Sequence, residues 1–371
     1  MRLQPMIDAM PQPFFFVLAF VLMLLVGNPL IAWLQNKQWK KDSTAHEIWA
    51  VREDTPDSHQ VKRGTPSMGG IGIIAATFCA VIALTFVLAA RSYVAYIPSF
   101  PSSPNLLEAL LCFAAPFALA LVLLLHGLLG FSDDYSKASG NGGLRARNKL
   151  IGQIFLAIGF VVFIVVMSSN VRSSGYISPT FANINFLQIV FLAFVVVAVC
   201  NAVNLTDGID GLASGLTIQN GLVLCFIGAN FNAVENFSRF TLAALAGACL
   251  GFLYFNKYKA RVFMGDTGSL AIGAALGAGA ILQHAVFLLP FIGFIYFVEM
   301  FSVIFQVAWF KWTKRKTGEG KRLFRRAPLH HHFELGDWSE WRVVGTFWAI
   351  NLFTSAIGLW LWHAGVLPRW P

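Results

Sequence analysis

The sequence predicts an all-α, polytopic integral membrane protein with ten transmembrane helices. Of its 371 residues 57% are hydrophobic and only 12% are charged, whereas soluble proteins carry roughly 25% charged residues. The apolar residues form long unbroken runs, and this pattern excludes a β-barrel, whose strands alternate. The five cysteines all lie within apolar runs at no metal-binding or redox spacing, so we interpret them as packing residues.

Each predicted span contains the roughly 20 mainly apolar residues that a helix needs to cross a bilayer. The spans are 14–35, 69–90, 106–131, 150–168, 186–203, 211–229, 238–255, 267–283, 286–311 and 343–363. Pro116 and Pro290 lie inside spans and predict kinks. No basic segment or cleavage site flanks the first run, so we expect it to remain as a span. We expect residues 1–371 to form a single membrane domain.

The basic residues predict the orientation of the chain. Most of the 27 Lys and Arg residues lie in loops on one side, which the positive-inside rule assigns to the cytoplasm. The predicted cytoplasmic loops are 36–68, 132–149, 204–210, 256–266 and 311–342, and both termini then lie on the outer, periplasmic side. Topology and contact with anionic lipids explain much of the net charge of +9, but they need not explain specific positions such as Lys62, Lys149 or Arg326. We therefore expect a lipid bilayer, and no nucleic acid, as a partner.

Five carboxylates from three separate segments lie at predicted cytoplasmic ends of spans. They are Asp133, Asp134, Asp207, Asp210 and Asp266. Polar residues next to spans are costly and are functional candidates by default. The topology places these five at one depth on one face, which suits a divalent cation. Oxygen ligands without thiolates favour Mg²⁺, which leaves coordination positions for substrate phosphates.

The stretch from Asn204 to Ala213 places a carboxamide and two carboxylates at i, i+3 and i+6, and its glycines allow close approach to the backbone. A helix cap explains Asp207 or Asp210 alone, but not the whole group. The adjacent pair Asp133 and Asp134 closes the third span, where negative charge opposes the helix dipole. This pair suits a general base or a metal ligand, and the alternative is a solvated turn.

Three further stretches carry polar groups at the same face. Asp266 opens the eighth span among Gly, Thr and Ser residues, which indicates a phosphate and metal site or, alternatively, a simple cap. Lys62 is equally well explained as a phosphate ligand or as a topology charge. The histidines at 330–332 cannot all chelate one metal ion, so they suit contact with phosphates or a solvated loop. Glu299 lies within a span, and the sequence assigns it no role.

On these motifs the sequence resembles the phospho-N-acetylmuramoyl-pentapeptide-transferase family, within the polyprenyl-phosphate N-acetylhexosamine-1-phosphate transferases. The matching stretches are Lys62 to Gly70, Asp133 to Lys137, Ala146 to Lys149, Asn204 to Ala213, Asn256, Gly265 to Leu270, Ala327 to Glu334 and Gly336 to Glu340. The stretch from Pro328 to Glu334 resembles the muramoyl-pentapeptide branch. Ile209 stands where the family pattern has Leu.

The resemblance implies a reaction at the cytoplasmic face of a bacterial inner membrane. Undecaprenyl phosphate would attack the β-phosphorus of UDP-N-acetylmuramoyl-pentapeptide, giving lipid I and UMP, with Mg²⁺ as cofactor. This is the first membrane step of peptidoglycan synthesis. A homodimer is a further expectation of the resemblance. The alternatives are a UDP-GlcNAc:undecaprenyl-phosphate GlcNAc-1-phosphate transferase and a secondary transporter. The acids at one face and the lack of inverted repeats count against a transporter.

The resemblance also implies roles for individual residues. Catalytic roles fall to Asp133, Asp134, Asp266 and His330. Substrate binding falls to Lys62, Lys149, Asn204, Asp207, Gly208, Asp210, Asn256, Phe263, His331 and His332. Asp133 would deprotonate or position the lipid phosphate, and Phe263 would stack on uracil. Asp266 would bind Mg²⁺, with Asp207 or Asp134 as a further ligand. A two-step route through a covalent intermediate on Asp266 stays open.

Overall fold

The computed structural model describes residues 12–36, 64–90, 117–170, 178–227 and 233–370. Over these residues the regular secondary structure is helical, apart from an isolated bridge between Ala285 and Trp370, and the predicted all-α class is confirmed. The α-helices are α1 Gln12–Asn36, α2 Gly70–Ala90, α3 Ala118–Ala138, α4 Ala146–Asn170, α5 Phe186–Thr206, α6 Leu212–Ile227, α7 Ala233–Asn256, α8 Gly265–Leu282, α9 Leu289–Ile292, α10 Phe294–Thr317, α11 Leu329–Glu334 and α12 Glu340–His363. Short 3₁₀ turns occupy Pro179–Asn183 and Val286–Leu288.

Among the described residues, eight helices are long and apolar enough to cross a membrane. They are α1, α3, α4, α5, the Asn236–Asn256 part of α7, α8, α10 and α12. Two shorter apolar helical segments, Gly70–Ala83 and Leu212–Ile227, coincide with the remaining two predicted spans. The chain is therefore a helical membrane protein. The count of ten spans and the side on which the termini lie stay predictions.

The third helix continues beyond the end predicted for its span. The prediction ends this span at residue 131, but α3 continues to Ala138 and carries Asp133 and Asp134 near its end. Lys137 lies in the last turn and pairs with Asp133 one turn earlier, at 2.9 Å. The ammonium group offsets the unfavourable effect of carboxylates on the helix dipole, which lets the helix continue. Pro116 lies outside the described residues.

The predicted ninth span, 286–311, is broken into shorter pieces. A 3₁₀ turn and the four-residue α9 precede α10, and Gly293 separates the two helices. Pro290 occupies the first turn of α9, where its missing N–H removes no helical bond. The predicted kink at Pro290 is therefore a complete break in the helix of this span. Helix α10 then continues to Thr317, within the loop predicted at 311–342.

Helix α8 lies at the centre of the fold and positions the site. Every residue from Thr267 to Leu282 is buried, and α8 packs most extensively against α3 and α5. Its many Gly and Ala residues allow this approach: a Cβ atom added at Gly273 would lie 2.6 Å from the Cα atom of Cys200 on α5. Small residues are the usual means of close helix packing in membranes. The first turn of α8 therefore lies between the ends of α3 and α5.

Candidate active site

Asp266, in the first turn of α8, is the centre of a cluster of charged residues. Its Oδ2 atom accepts hydrogen bonds from Lys137 Nζ and Lys149 Nζ, both at 2.7 Å. Its Oδ1 atom accepts one from Asn204 Nδ2 at 2.6 Å. These donors come from α3, α4 and α5. The first turn of α8 thus joins residues that lie far apart in the sequence, as the topological argument predicts.

Asp133 shares these lysines but has its own backbone partner. Its Oδ2 atom lies 2.9 Å from Lys137 Nζ and 3.4 Å from Lys149 Nζ. Its Oδ1 atom accepts the backbone N–H of Leu144 at 2.6 Å, in the loop between α3 and α4. The residue is only 2% exposed. Asp133 and Asp266 are therefore bridged by two ammonium groups that a phosphate could also contact.

Asp134 contacts the start of α8 instead. Its Oδ1 atom accepts the backbone N–H of Asp266 at 3.1 Å, and its Oδ2 atom accepts the N–H and Oγ1–H of Thr267 at 2.8 and 2.7 Å. Helix α8 has no side-chain cap from its own N-cap residue, Met264, so Asp134 supplies this cap from α3. Gly265, at φ +73°, leaves room for the carboxylate, which a Cβ atom there would meet at 2.6 Å.

Asp207 and Asp210 lie in the turn between α5 and α6. Burial raises the pKa of Asp207 well above its usual range, and the carboxylates of Asp266, Asp134 and Asp210 raise that pKa further. Asp210 is buried and accepts the backbone N–H of Ala260 at 2.9 Å. Its own N–H donates to Glu340 Oε1 at 2.7 Å. Asp210 therefore connects this turn to the segment before α8.

Asn256, at the end of α7, uses both ends of its side-chain amide within the protein. Its Oδ1 atom accepts from Gly211 N at 3.0 Å and from Ser214 Oγ at 3.4 Å, and its Nδ2 atom donates to Val262 O at 3.0 Å. These contacts indicate that Asn256 shapes the turn at Asp207–Gly211. Phe263 is half-buried, three residues before Asp266. The predicted nucleotide role of Asn256 and the predicted uracil stacking on Phe263 stay predictions.

The three histidines face different partners. His330 is fully buried beside Gly208 and Glu299. His331 Nδ1 lies 2.8 Å from Glu334 Oε2, and burial lowers its pKa to about 4. His332 Nδ1 accepts the backbone N–H of Arg325 at 3.1 Å. Of the three, His330 is the one that the structure brings against the turn between α5 and α6.

Lys62 lies outside the described residues, while Lys137 and Glu299 join the site without a role predicted from sequence. Lys137 follows Asp133 at the i+4 spacing that brings helical side chains together, so the pattern itself could have indicated it. Glu299 gave a weaker signal, a single carboxylate in an apolar span. Its partner is 31 positions away in the sequence, and no local pattern predicts that contact.

The oxygen-rich cluster fits a Mg²⁺ ion held by few protein ligands. Among the described residues, no group of three or more His, Cys, Asp or Glu side chains is arranged to hold a metal ion. Mg²⁺ is usually bound by one or two carboxylates together with waters and substrate phosphates. Asp266 and Asp207 are the candidate carboxylates. Burial and the negative charge of Asp266 both raise the pKa of Asp207, and a nearby cation would offset both effects.

A partly buried cluster of charged residues at the ends of membrane helices suits a membrane-embedded transferase, and the comparisons with known proteins give this class. The profile of glycosyl transferase family 4 matches residues 116–284, which include α3 to α8 and the Asp133–Asn204–Asp266 cluster.

Curated relatives identify the family more closely. The chain is 37% identical to the phospho-N-acetylmuramoyl-pentapeptide-transferase of Desulforamulus reducens, covering 93% of this chain and 96% of the relative. It is 38% identical to the enzyme of the same name from Staphylococcus carnosus, covering 93% and 97%. It is 39% identical to that from Listeria welshimeri, covering 84% and 88%. The chain belongs to the phospho-N-acetylmuramoyl-pentapeptide-transferase family.

Proposed function

We propose that this protein transfers phospho-N-acetylmuramoyl-pentapeptide from UDP-N-acetylmuramoyl-pentapeptide to undecaprenyl phosphate, giving lipid I and UMP. One observation carries the chemical part of the proposal: two ammonium groups, Lys137 and Lys149, bridge Asp133 and Asp266 at the helix ends. A site of this kind matches phosphoryl transfer, which depends on positioning and charge neutralisation. The family of the curated relatives supports the choice of substrates.

In the proposed reaction an oxygen of the lipid phosphate forms a bond to the β-phosphorus, and the bond from that phosphorus to the oxygen bridging to UMP breaks. Asp133 positions the lipid phosphate and accepts its proton if it arrives protonated. Lys137 and Lys149 neutralise phosphate oxygens as charge develops on them. Asp266 and Asp207 would hold Mg²⁺, which when bound supplies further positive charge to the diphosphate.

We favour direct displacement over a covalent intermediate on Asp266. Both carboxylate oxygens of Asp266 accept short hydrogen bonds, two of them from ammonium groups. Such bonds withdraw electron density from the carboxylate and weaken it as a nucleophile. Rapid-quench trapping should therefore give no phosphosugar–protein adduct, and a trapped adduct on Asp266 would overturn this preference.

We further propose that the site lies at the cytoplasmic face of a bacterial inner membrane. The basic loops predicted at 132–149 and 256–266 contain Asp133 and Asp266, and a nucleotide substrate comes from the cytosol. A thiol-reactive, membrane-impermeant label on a cysteine placed at Ser139 tests this orientation, with accessibility expected only from the cytoplasmic side. Labelling from the outer side would contradict it. A homodimer stays a prediction.

The function is tested with purified protein, undecaprenyl phosphate and each of two nucleotide sugars. UMP release and lipid-linked product are expected with UDP-N-acetylmuramoyl-pentapeptide. Turnover of UDP-GlcNAc alone would instead support the GlcNAc-1-phosphate transferase alternative.

A further inference from the structure

Glu299 and His330 form a pair of polar side chains in the interior of the protein. Both residues are 0% exposed. Glu299 lies on α10, and its Oε1 atom accepts the backbone N–H of His330 at 3.0 Å. The same oxygen lies 3.3 Å from the His330 Nδ1 atom. A carboxylate buried in a membrane helix is costly, so its retention indicates a function or a specific partner.

The opposite edge of the imidazole ring lies against Gly208. A Cβ atom added at Gly208 would overlap His330 Nε2 and would lie 2.7 Å from its Cε1 atom. Gly208 follows directly after Asp207, in the turn that also contains Asp210. The ring therefore lies between Glu299 on its Nδ1 side and the Asp207–Asp210 turn on its Nε2 side.

Neither ring nitrogen of His330 makes a hydrogen bond within the described residues, and the same is true of Glu299 Oε2. Buried polar atoms are normally paired, and those left unpaired call for an explanation. The Nδ1 atom needs only a small rotation of the ring to donate to the carboxylate 3.3 Å away. The Nε2 atom would then be the nitrogen left for a ligand.

We propose that Glu299 is a positioning residue that keeps the proton of His330 on Nδ1 and keeps Nε2 towards the Asp207–Asp210 turn. A carboxylate beside one imidazole nitrogen selects the tautomer and fixes the ring orientation. Nε2, which carries no proton in this tautomer, then accepts a hydrogen bond from a hydroxyl or N–H group of the sugar or peptide of the bound substrate. The proposal rests on the transferase function proposed above. In it, the Glu299 carboxylate affects the reaction only by orienting His330.

A competing explanation is that Glu299 only caps the start of α11 through the His330 N–H. Glu299→Gln separates the two explanations, because the glutamine keeps the size of the side chain and an oxygen for the N–H. It loses the negative charge and the second carboxylate oxygen. A simple cap predicts nearly normal turnover for this variant, whereas the positioning role predicts a lower kcat.

The test is a double-mutant cycle of Glu299→Gln and His330→Asn, with Glu319→Gln, an exposed site in the loop after α10, as the control. We expect Glu299→Gln to lower kcat by about 10- to 100-fold, with little change in KM for either substrate or in the thermal midpoint. In the His330→Asn background the same change should have no further effect. Wild-type kcat for Glu299→Gln, or an equal further loss in that background, would overturn the proposal.

Glu299→Asp is the second variant, for the case in which Glu299→Gln does not fold. It keeps the charge but places the carboxylate one methylene group farther from Nδ1, so kcat should fall in the wild-type background and should not fall further in the His330→Asn background. Wild-type kcat for Glu299→Asp, or an equal further loss in that background, would overturn the proposal. The cycle is measured on whichever nucleotide sugar the wild-type protein turns over. If the proposed substrate is wrong, the wild-type protein fails to turn it over. If the proposed role of Glu299 is wrong, only the kcat values of the double-mutant cycle show it.

Discussion

Asp134 on α3 caps the helix that carries Asp266. Its two carboxylate oxygens accept the backbone N–H groups of Asp266 and Thr267, together with the Thr267 hydroxyl. The adjacent carboxylate, Asp133, faces Lys137 and Lys149 instead. Two neighbouring residues therefore have separate tasks: one fixes the start of α8, and the other joins Asp266 in the charged cluster.

The first prediction concerns this cap. Asp134→Ala should lower the free energy of unfolding by about 1–2 kcal/mol, because the first turn of α8 loses its side-chain acceptor. It should also lower kcat, since Asp266 lies in that turn. Thermal unfolding in detergent measures the first effect and UMP release the second. Asp337→Asn, at an exposed site, is the control. An unchanged unfolding midpoint for Asp134→Ala would contradict the capping role.

The second prediction concerns the two lysines. Lys149→Met should reduce kcat by about 100-fold, because it removes a charged donor from where phosphate charge develops. Lys137→Met should have a smaller effect, since the Lys137 side chain is 48% exposed and that of Lys149 only 15%, and exposed charges are screened more strongly.

Steady-state UMP release gives both values, and the exposed Lys321→Met is the matched control. If both lysine variants kept wild-type kcat, the proposed phosphate contacts would be wrong.

The third prediction concerns pH and His331. Burial lowers the pKa of His331 from 6.5 to about 4, so the unfolded chain binds more protons than the folded chain between those values. The free energy of unfolding should therefore rise with pH from about 4 to 6.5 and be level above that range, as far as His331 contributes.

Thermal midpoints of the wild type and His331→Gln, measured from pH 4 to 8, test this expectation. The variant should show a shallower loss of stability on acidification. Parallel curves for the two proteins would exclude His331 as a source of the acid sensitivity.

The fourth prediction concerns the metal ion. Chelation with EDTA should abolish UMP release, and added Mg²⁺ should restore it. Asp266→Asn should remain inactive at every Mg²⁺ concentration while still folding, because it loses a charged oxygen ligand and its contacts with both lysines. Asp207→Asn should require more Mg²⁺ for half-maximal rate. Nearly normal turnover by Asp266→Asn would refute the metal assignment.

The sequence predicted that carboxylates from distant segments lie close together, because the ends of the spans and the basic loops fix the depth of each residue relative to the membrane. Asp133, Asn204 and Asp266 do meet through two lysines and one amide. Depth does not determine the direction of a side chain around its helix. For that reason the separate partners of Asp133 and Asp134 could not be predicted, nor the internal hydrogen bonds of Asn256.

Contacts between helices that lie far apart in the sequence could not be predicted either, because no local pattern indicates them. The carboxylate of Glu299 meets His330 because α10 packs against the short helix α11. Beside the break of the ninth span at Gly293, Asn351 of α12 accepts the N–H of Ile295 at 3.5 Å, and this contact also joins distant parts of the chain. Proline position alone indicated a kink, but not the interruption.

The most direct test of the central claim is the assay of the purified protein with undecaprenyl phosphate and radiolabelled UDP-N-acetylmuramoyl-pentapeptide in the presence of Mg²⁺. The account predicts stoichiometric formation of UMP and a lipid-linked diphospho-sugar-pentapeptide, and no product from Asp133→Asn or Asp266→Asn. Absence of lipid-linked product from folded wild-type protein, with turnover of UDP-GlcNAc in its place, would contradict it.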